Sequence, residues 1–369
     1  MISFFIICFV LAFLTIIVDI LLLVGWFFNF KEHETSNGVR FDANISILIA
    51  ARNEEHNIER CVKSINSLNY ERGKLEILIG NDQSNDRTWE VMQSLSKRYD
   101  NVTVMNINSN LGSAKGKANV LAHLAKRATG DYFFITDADV VVTPHWINGL
   151  MNAVQENVAI ISGTTVVTGR GLWAALQNID WLYAFGMVKV VTDLNYPVTA
   201  VGNNMMITRK AYNITGGYES LAFSITEDFQ LSQEVLKKGF AIRNLINPQV
   251  LVRTRPVNSL VALLHQRKRW MTGAFELPAL LIFILLMQAL TLPAIIGVVV
   301  HSLTLGLSFF VIKIMLRSLF IISVFKKTER SFNLLHLILY DFYAGILSLC
   351  ALFFYLLPIK VKWKDRVYK

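Results

Sequence analysis

Residues 2–30 form an unbroken apolar run of 29 residues in which Asp19 is the sole charge. A stretch that long exceeds the ~20 residues an α-helix needs to cross the hydrocarbon of a bilayer. No lysine or arginine precedes it and no small-residue cleavage site stands out, so it reads as a retained anchor, not a secretory signal. Three further apolar segments follow, at 277–300, 303–325 and 332–359. They predict two to three C-terminal membrane helices. Lys313 and Arg317 fall four apart in the middle segment, on one helical face, so that segment packs inward or lies in the interface. With 53% of its residues hydrophobic, the chain must place much of its apolar content in lipid.

The stretch between anchor and C-terminal segments is about 245 residues, enough for one sizeable α/β domain. The expected organisation is an anchor at 1–30, a main domain at 31–256, an interfacial helix at 257–276, membrane segments at 277–359 and a basic tail at 360–369. Lys31, Arg40 and Arg52 follow the anchor, and the positive-inside bias then predicts a cytoplasmic domain. The tail bears Lys360, Lys362, Lys364, Arg366 and Lys369, which places it on the cytoplasmic side as well. Much of the net charge of +9 flanks membrane segments, where anionic lipid heads explain it. No nucleic-acid recognition module is apparent, so nucleic acid is not an expected partner. The three cysteines offer neither a disulfide framework nor metal-ligand spacing.

Strand and helix patterns alternate through the main domain. Short apolar runs at 44–50, 75–80, 102–107 and 132–136 read as strands; periodic segments through Ile58, Val62 and Ile65, at 87–98 and at 114–128 read as helices. This rhythm predicts a mainly parallel twisted sheet with helices on both faces. Thr143-Pro144 reads as a cap and first-turn proline of a further helix. Ligands of such folds bind at the carboxyl ends of strands. The polar clusters fall there. Neither a Gly-x-Gly-x-x-Gly nor a Walker A sequence is present, which removes the usual dinucleotide and P-loop readings.

Asp137-Ala138-Asp139 stands where the fourth strand runs out. Residues two apart in extended chain face one side, so both carboxylates can address one point. Paired carboxylates of this kind suit Mg²⁺ or Mn²⁺, with phosphate oxygens and water as remaining ligands. Asp82 and Asp86 follow the second strand and can accept from a base or ribose, or cap the next helix. Lys115-Gly116-Lys117 opens a helix behind Gly112, where lysine charge and backbone donors can hold phosphate. Thr226-Glu227-Asp228 reads as a cap with acids in the first turn. The dipole explains Glu227, whereas Asp228 can also take a proton from a hydroxyl. The aromatic stretch 171–193, with Trp173, Trp181, Tyr183 and Phe185, touches lipid or acceptor or simply packs. Gln266-Arg267-Lys268-Arg269-Trp270 lies just before the first C-terminal apolar segment, and as a bare cluster it reads as a basic membrane-surface patch.

In order, Ile47-Leu48-Ile49-Ala50-Ala51-Arg52-Asn53-Glu54-Glu55, Asn81-Asp82, Lys115-Gly116-Lys117, Asp137-Ala138-Asp139, Thr226-Glu227-Asp228 and Gln266–Trp270 resemble the family 2 glycosyltransferases of GT-A fold. That resemblance implies a nucleotide-sugar donor, with UDP expected, and inverting transfer. It implies that Ala51, Arg52, Glu54 and Asp82 line the nucleotide and that Lys117 lies near the base or phosphates. It further implies Asp139 as metal ligand, Asp137 near the ribose and Asp228 as base, with Gln266, Arg269 and Trp270 holding diphosphate and acceptor. Asn81 stands where the family often has an aspartate, so no ionic role is expected of it. The layout is similar to ceramide glucosyltransferases and bacterial lipid glycosyltransferases, which implies a lipid acceptor at a bilayer, expected to be a bacterial inner membrane. A processive synthase making a β-linked polymer is the rival reading, and a non-catalytic membrane scaffold the third.

Overall fold

The structure, a computed structural model, describes residues 2–33, 42–364 and 366–368. Arg40 and Lys369, two of the basic residues used above to orient the chain, lie outside the described residues. The chain divides into two compact units.

One unit comprises Lys31–Val166 and Asn195–Arg255. Strands β1 (Ile45–Ala51), β2 (Leu75–Asn81), β3 (Val102–Asn106) and β4 (Tyr132–Asp137) are parallel neighbours in the order β3-β2-β1-β4. The expected strands therefore all form, to within a residue or two at each end. With β5 (Val141–Val142), β6 (Val158–Ser162), β7 (Thr164–Val167), β8 (Asn204–Thr208), β9 (Ala241–Asn244) and β10 (Leu251–Thr254) they make two sheets. The larger runs β3-β2-β1-β4-β8-β6-β9 with β8 antiparallel to both neighbours; the smaller runs β5-β10-β7.

Strand β1, interior to the sheet, shows why the pattern is nearly continuous. Ile45, Ile47 and Ile49 of β1 pack with Ile58, Val62 and Met92 on one face, while Leu48 packs with Val120, Leu121 and Leu124 on the other. A parallel strand covered on both faces has no solvent side to make polar. The helix after β5 differs from expectation: it spans Trp146–Met151, three residues past Thr143. The Thr143 hydroxyl donates to the Gln249 carbonyl, 2.6 Å away, and it is the Thr143 backbone carbonyl that accepts from the Trp146 N–H, at 3.1 Å.

The second unit comprises Met1–Phe30, Val167–Leu194 and Pro256–Lys369. Helices Ile2–Asn29, Leu303–Lys327 and Leu334–Leu356 are each long and apolar enough to cross a membrane. The remaining apolar segment is a broken pair, Ala279–Ala289 and Thr291–His301, bent by 50°. Pro293 supplies the reason, since its ring excludes the carbonyl four residues back and it has no N–H to give.

Lys313 and Arg317 pack inward, not in the interface. Lys313 Nζ lies 2.8 Å from Asp19 and Arg317 Nη1 lies 2.6 Å from Asp341, all four nearly fully buried. The Gln288 amide joins the pairs, its oxygen accepting from Lys313 at 2.9 Å and Arg317 at 3.2 Å. Two cations thus meet two anions, which is how charge is tolerated among apolar helices. The basic tail includes a short antiparallel pair, Val361–Trp363 with Arg366–Tyr368.

Candidate active site

The ends of β1, β2 and β4 turn into loops that brace one another. The Asp82 N–H donates to the Ala51 carbonyl at 2.8 Å, continuing the β1–β2 pairing by one step. Arg52, buried, donates from Nη1 to the carbonyls of Asp82 and Gln83 at 2.6 and 3.0 Å. The Glu54 N–H donates to the Thr88 hydroxyl at 2.7 Å and its carboxylate accepts from Asn57 at 2.7 Å. Ala51, Arg52, Glu54 and Asp82 are therefore gathered at one edge of the sheet. Asn81 is bound as an amide: it donates to Asn106 at 2.9 Å and accepts from the Ser84 N–H at 3.2 Å. A carboxylate has no proton to donate there.

The β4 end carries the carboxylates. The chain turns immediately after Asp137, with the Val140 N–H donating to the Asp137 carbonyl at 3.2 Å. Ala138 enters the core while the acids beside it stay partly accessible. The turn, not strand alternation, sets their relation. Asp137 pairs with Lys117 at 2.7 Å, whereas the Asp139 carboxylate accepts from the Thr254 hydroxyl of β10 at 3.3 Å. Arg60 adds a donor to the Asp139 carbonyl at 3.0 Å. Among the described residues no group of three His, Cys, Asp or Glu converges on a metal position. The Asp139 carboxylate is a hard oxygen donor, the ligand type a divalent cation would take alongside phosphate and water.

Lys117 is the hub. Its ammonium, at the start of helix Gly116–Arg127, also lies 2.9 Å from Glu227. Burial alone would lower its pKa, but the charges of Asp137, Glu227 and Asp228 outweigh that and hold it above the ordinary lysine value. Glu227 is thus more than a dipole-friendly first-turn acid. The sequence signal for it was the Thr-Glu-Asp triplet, which the dipole explained equally well.

Asp228 lies next to it in helix Glu227–Lys237. Its Oδ2 accepts from the Gly202 N–H at 2.8 Å and its Oδ1 from its neighbour Phe229 N–H at 2.9 Å. Burial, then the negative charge of Glu227, raise its carboxyl above the usual aspartate range. Gly202 is required by this packing: a Cβ there would stand 2.7 Å from Asp228 Cβ and 2.9 Å from Oδ2. Gly202→Ala should therefore displace the carboxylate, and if Asp228 takes part in the reaction turnover should fall by roughly ten-fold or more. Steady-state kinetics on the purified variant check this; an unchanged kcat would remove the constraint.

In the other unit, Gln266, Arg269 and Trp270 share one face of helix Leu260–Ala274, at spacings of three and four. Arg267 and Lys268 differ from the membrane-surface expectation, for both are buried. Lys268 Nζ donates to the carbonyls of Phe354, Tyr355 and Leu357 at 3.0, 3.1 and 2.8 Å. Three ammonium protons thereby meet the carbonyls left open where helix Leu334–Leu356 ends. Arg267 pairs with Asp180 and lies over Trp270, whose ring meets Trp181 edge-on at 5.2 Å. The aromatic helix Gly171–Asp193 belongs to this unit, and Trp173 donates to the Val257 carbonyl at 2.6 Å.

A mainly parallel α/β sheet with acids at its strand ends, carried on a chain with helices fit to span a membrane, defines a membrane glycosyltransferase of GT-A type. The structure of the mannosyltransferase PcManGT from Pyrobaculum calidifontis in complex with GDP-Man and Mn²⁺ has a similar fold: TM-score 0.60, 13% identity, covering 96% of this chain and 98% of that one. The chain belongs to glycosyl transferase family 21, whose sequence profile it matches over residues 6–369. It is 27% identical over 240 residues to a beta-monoglucosyldiacylglycerol synthase of Synechocystis sp., covering 63% of this chain and 48% of that protein. To the poly-beta-1,6-N-acetyl-D-glucosamine synthase of Staphylococcus aureus it is 26% identical over 277 residues, covering 72% and 65% respectively. The chain thus spans about half the length of the first of these relatives and under two thirds of the second.

Proposed function

We propose that the protein transfers a sugar, with inversion, from a nucleoside diphosphate sugar to a hydroxyl of a membrane lipid. The carrying observation is Asp228: a half-buried carboxylate of raised pKa, oriented by two backbone N–H groups. A base works best when its pKa approaches the working pH, and burial moves Asp228 in that direction. In the step, an Asp228 oxygen takes the acceptor hydroxyl proton. The acceptor oxygen bonds to the anomeric carbon as the bond from that carbon to the diphosphate oxygen breaks. Attack opposite the leaving group inverts the centre, so an α-linked donor yields a β-glycoside.

Ala51, Arg52, Glu54 and Asp82 would line the nucleotide, with Lys117 and Asp137 beside the ribose and phosphates. Asp139 would hold Mg²⁺ or Mn²⁺, whose charge, when bound, offsets that of the diphosphate. Mn²⁺ in the PcManGT complex supports this reading. Gln266, Arg269 and Trp270 are the groups on their helix suited to phosphate oxygens and an acceptor ring. A domain on the cytoplasmic face of a bacterial inner membrane would meet both donor and lipid.

Two relatives of similar identity act on different acceptors by name, one forming a glucosyldiacylglycerol and one a polymer. The lipid reading is favoured because the buried charges Asp19, Lys313, Arg317 and Asp341 of the apolar helices are paired with each other, as Asp19–Lys313 and Arg317–Asp341. A polymer path would need polar groups turned toward a conduit. Membranes containing the protein, incubated with labelled nucleotide sugars, should give label that extracts with lipid. Label retained as insoluble polymer would sink the lipid acceptor, and label in neither fraction with any donor would leave the scaffold reading.

A further inference from the structure

The chain passes between its two units at three places: after Phe30, at both ends of Val167–Leu194, and after Arg255. Every described helix fit to cross a membrane belongs to the second unit, so the α/β unit lies on one side of the bilayer. The junctions mark that side. Helix Gly171–Asp193 is tied to it at both ends and therefore does not cross.

Ring and charge contacts give each apolar helix its direction. Phe9 meets Phe309 at 5.3 Å, Asp19 meets Lys313 at 2.8 Å and Trp26 meets Phe320 at 5.4 Å. Lys327 Nζ lies 4.5 Å from the centre of the Phe30 ring. Positions rise together along both helices, so Leu303–Lys327 runs parallel to Ile2–Asn29 and ends beside Phe30, on the junction side. The broken pair runs the other way. Its Gln288 donates to Asp19 at 3.4 Å, Gly297 abuts Cys8, and the His301 ring lies 5.0 Å from Phe5.

Helix Leu334–Leu356 has both ends on the junction side. It begins shortly after Lys327, with the Phe332 ring 6.0 Å from Phe325. At its other end the open carbonyls of Phe354, Tyr355 and Leu357 accept from Lys268, and the Phe354 ring meets His265 edge-on at 5.0 Å. Lys268 and His265 belong to helix Leu260–Ala274, which opens just after the Arg255 junction and whose polar run Gln266–Arg269 keeps it at the membrane face. The Lys362 N–H donates to His265 Nδ1 at 3.2 Å, so the tail stays there too. Between the ends, Tyr340 donates to Asp180 at 2.9 Å and the Tyr343 ring meets Trp173 at 6.1 Å, both on Gly171–Asp193. The 23 residues of Leu334–Leu356 reach about 34 Å. Upright, they would carry Leu356 across the hydrocarbon to the side of Phe5, far from Lys268.

We propose that Leu334–Leu356 does not cross the bilayer but lies along it, both ends on the side of the α/β unit, with one face against acyl chains. That face carries Leu334, Ile338, Phe342 and Ile346 at every fourth position, then Phe353, all exposed. Leu337, Tyr340, Asp341 and Leu347 are buried on the other. Its middle is sunk deep, for Asp341 pairs with Arg317 and the Phe342 ring lies 5.0 Å from Phe310. Length and hydropathy make this helix a span, and its partners decide otherwise. The crossings are then Ile2–Asn29, the broken pair and Leu303–Lys327, and the basic tail shares the side of the α/β unit. This topology holds whatever the acceptor.

The test labels introduced cysteines with a membrane-impermeant maleimide in sealed vesicles of the full-length protein, wild-type labelling giving the baseline for Cys8, Cys61 and Cys350. Lys97→Cys reports the α/β unit, and Thr304→Cys the head of Leu303–Lys327. Ser331→Cys and Lys360→Cys report the turns before and after Leu334–Leu356; all four native residues are exposed. In vesicles that label Lys97→Cys from outside, Ser331→Cys and Lys360→Cys should label as well, and Thr304→Cys only after detergent opens them. Protection of Lys360→Cys while Ser331→Cys labels would mean that the helix crosses, and overturns the proposal. Thr304→Cys labelling together with Lys97→Cys would overturn the helix directions on which it rests. An epitope appended to the C-terminus of the otherwise native chain gives the readout without a substitution. Antibody reaching it only from the side opposite the α/β unit sinks the proposal equally.

Discussion

Asp228→Asn should cut kcat by roughly 10²–10⁴-fold while leaving donor affinity near wild type, the range a general base contributes. The amide keeps the size of the carboxylate but cannot take the acceptor proton. It can also accept from only one of the Gly202 and Phe229 N–H groups, so a small stability loss should accompany the change. Donor titration separates the two effects: turnover close to wild type would remove Asp228 as the base. The pH profile provides a second readout. A carboxyl lifted by burial and by Glu227 is protonated over a wider acidic range than ordinary aspartate, so kcat should fall on the acid side at a pH above the usual aspartate value. Glu227→Gln removes a negative neighbour, lowers the Asp228 pKa and should shift that limb to lower pH. A limb that stays in place, or moves up, would contradict the assignment.

Lys313→Met should destabilise the membrane unit by about 3–5 kcal/mol, because it leaves Asp19 buried without its cation. The effect comes from the stranded charge, not from the lost attraction. Pairing the change with Asp19→Leu should therefore restore most of the stability, since a dry apolar pair has no charge to desolvate. Thermal midpoints in one detergent compare wild type, single and double variants. A single variant as stable as wild type would mean that Asp19 finds another partner or water, and the ion pair would lose its structural role.

Much of this protein is legible along the chain because its signals are local. A parallel strand covered on both faces has to be apolar throughout, so β1, β2 and β4 stand out, and the polar residues that end them stand out against that background. Asp137 and Asp139 are visible for this reason, as is the anchor with its single charge, whereas Asp228 shows as a first-turn acid behind its Thr226 cap. Other features depend on partners distant in sequence. Glu227 looked like a helix-dipole residue, and only the fold brings Lys117, 110 positions earlier in the numbering, to 2.9 Å from it. Arg267 and Lys268 looked like a lipid-facing patch because charge next to an apolar segment usually is one. Their partners, Asp180 and the carbonyls at the end of helix Leu334–Leu356, lie some 87 residues away on either side.

The sequence alone determined the membrane character, the mainly parallel α/β domain and the positions of its acids, since each follows from which residues can be buried and which cannot. Tertiary structure decided which charges are spent on one another. Asp19 with Lys313, Arg317 with Asp341, and Lys117 between Asp137 and Glu227 are choices of geometry. A cation's partner is set by what the fold brings within about 4 Å, where in a low-dielectric interior one neighbour outweighs all distant charges.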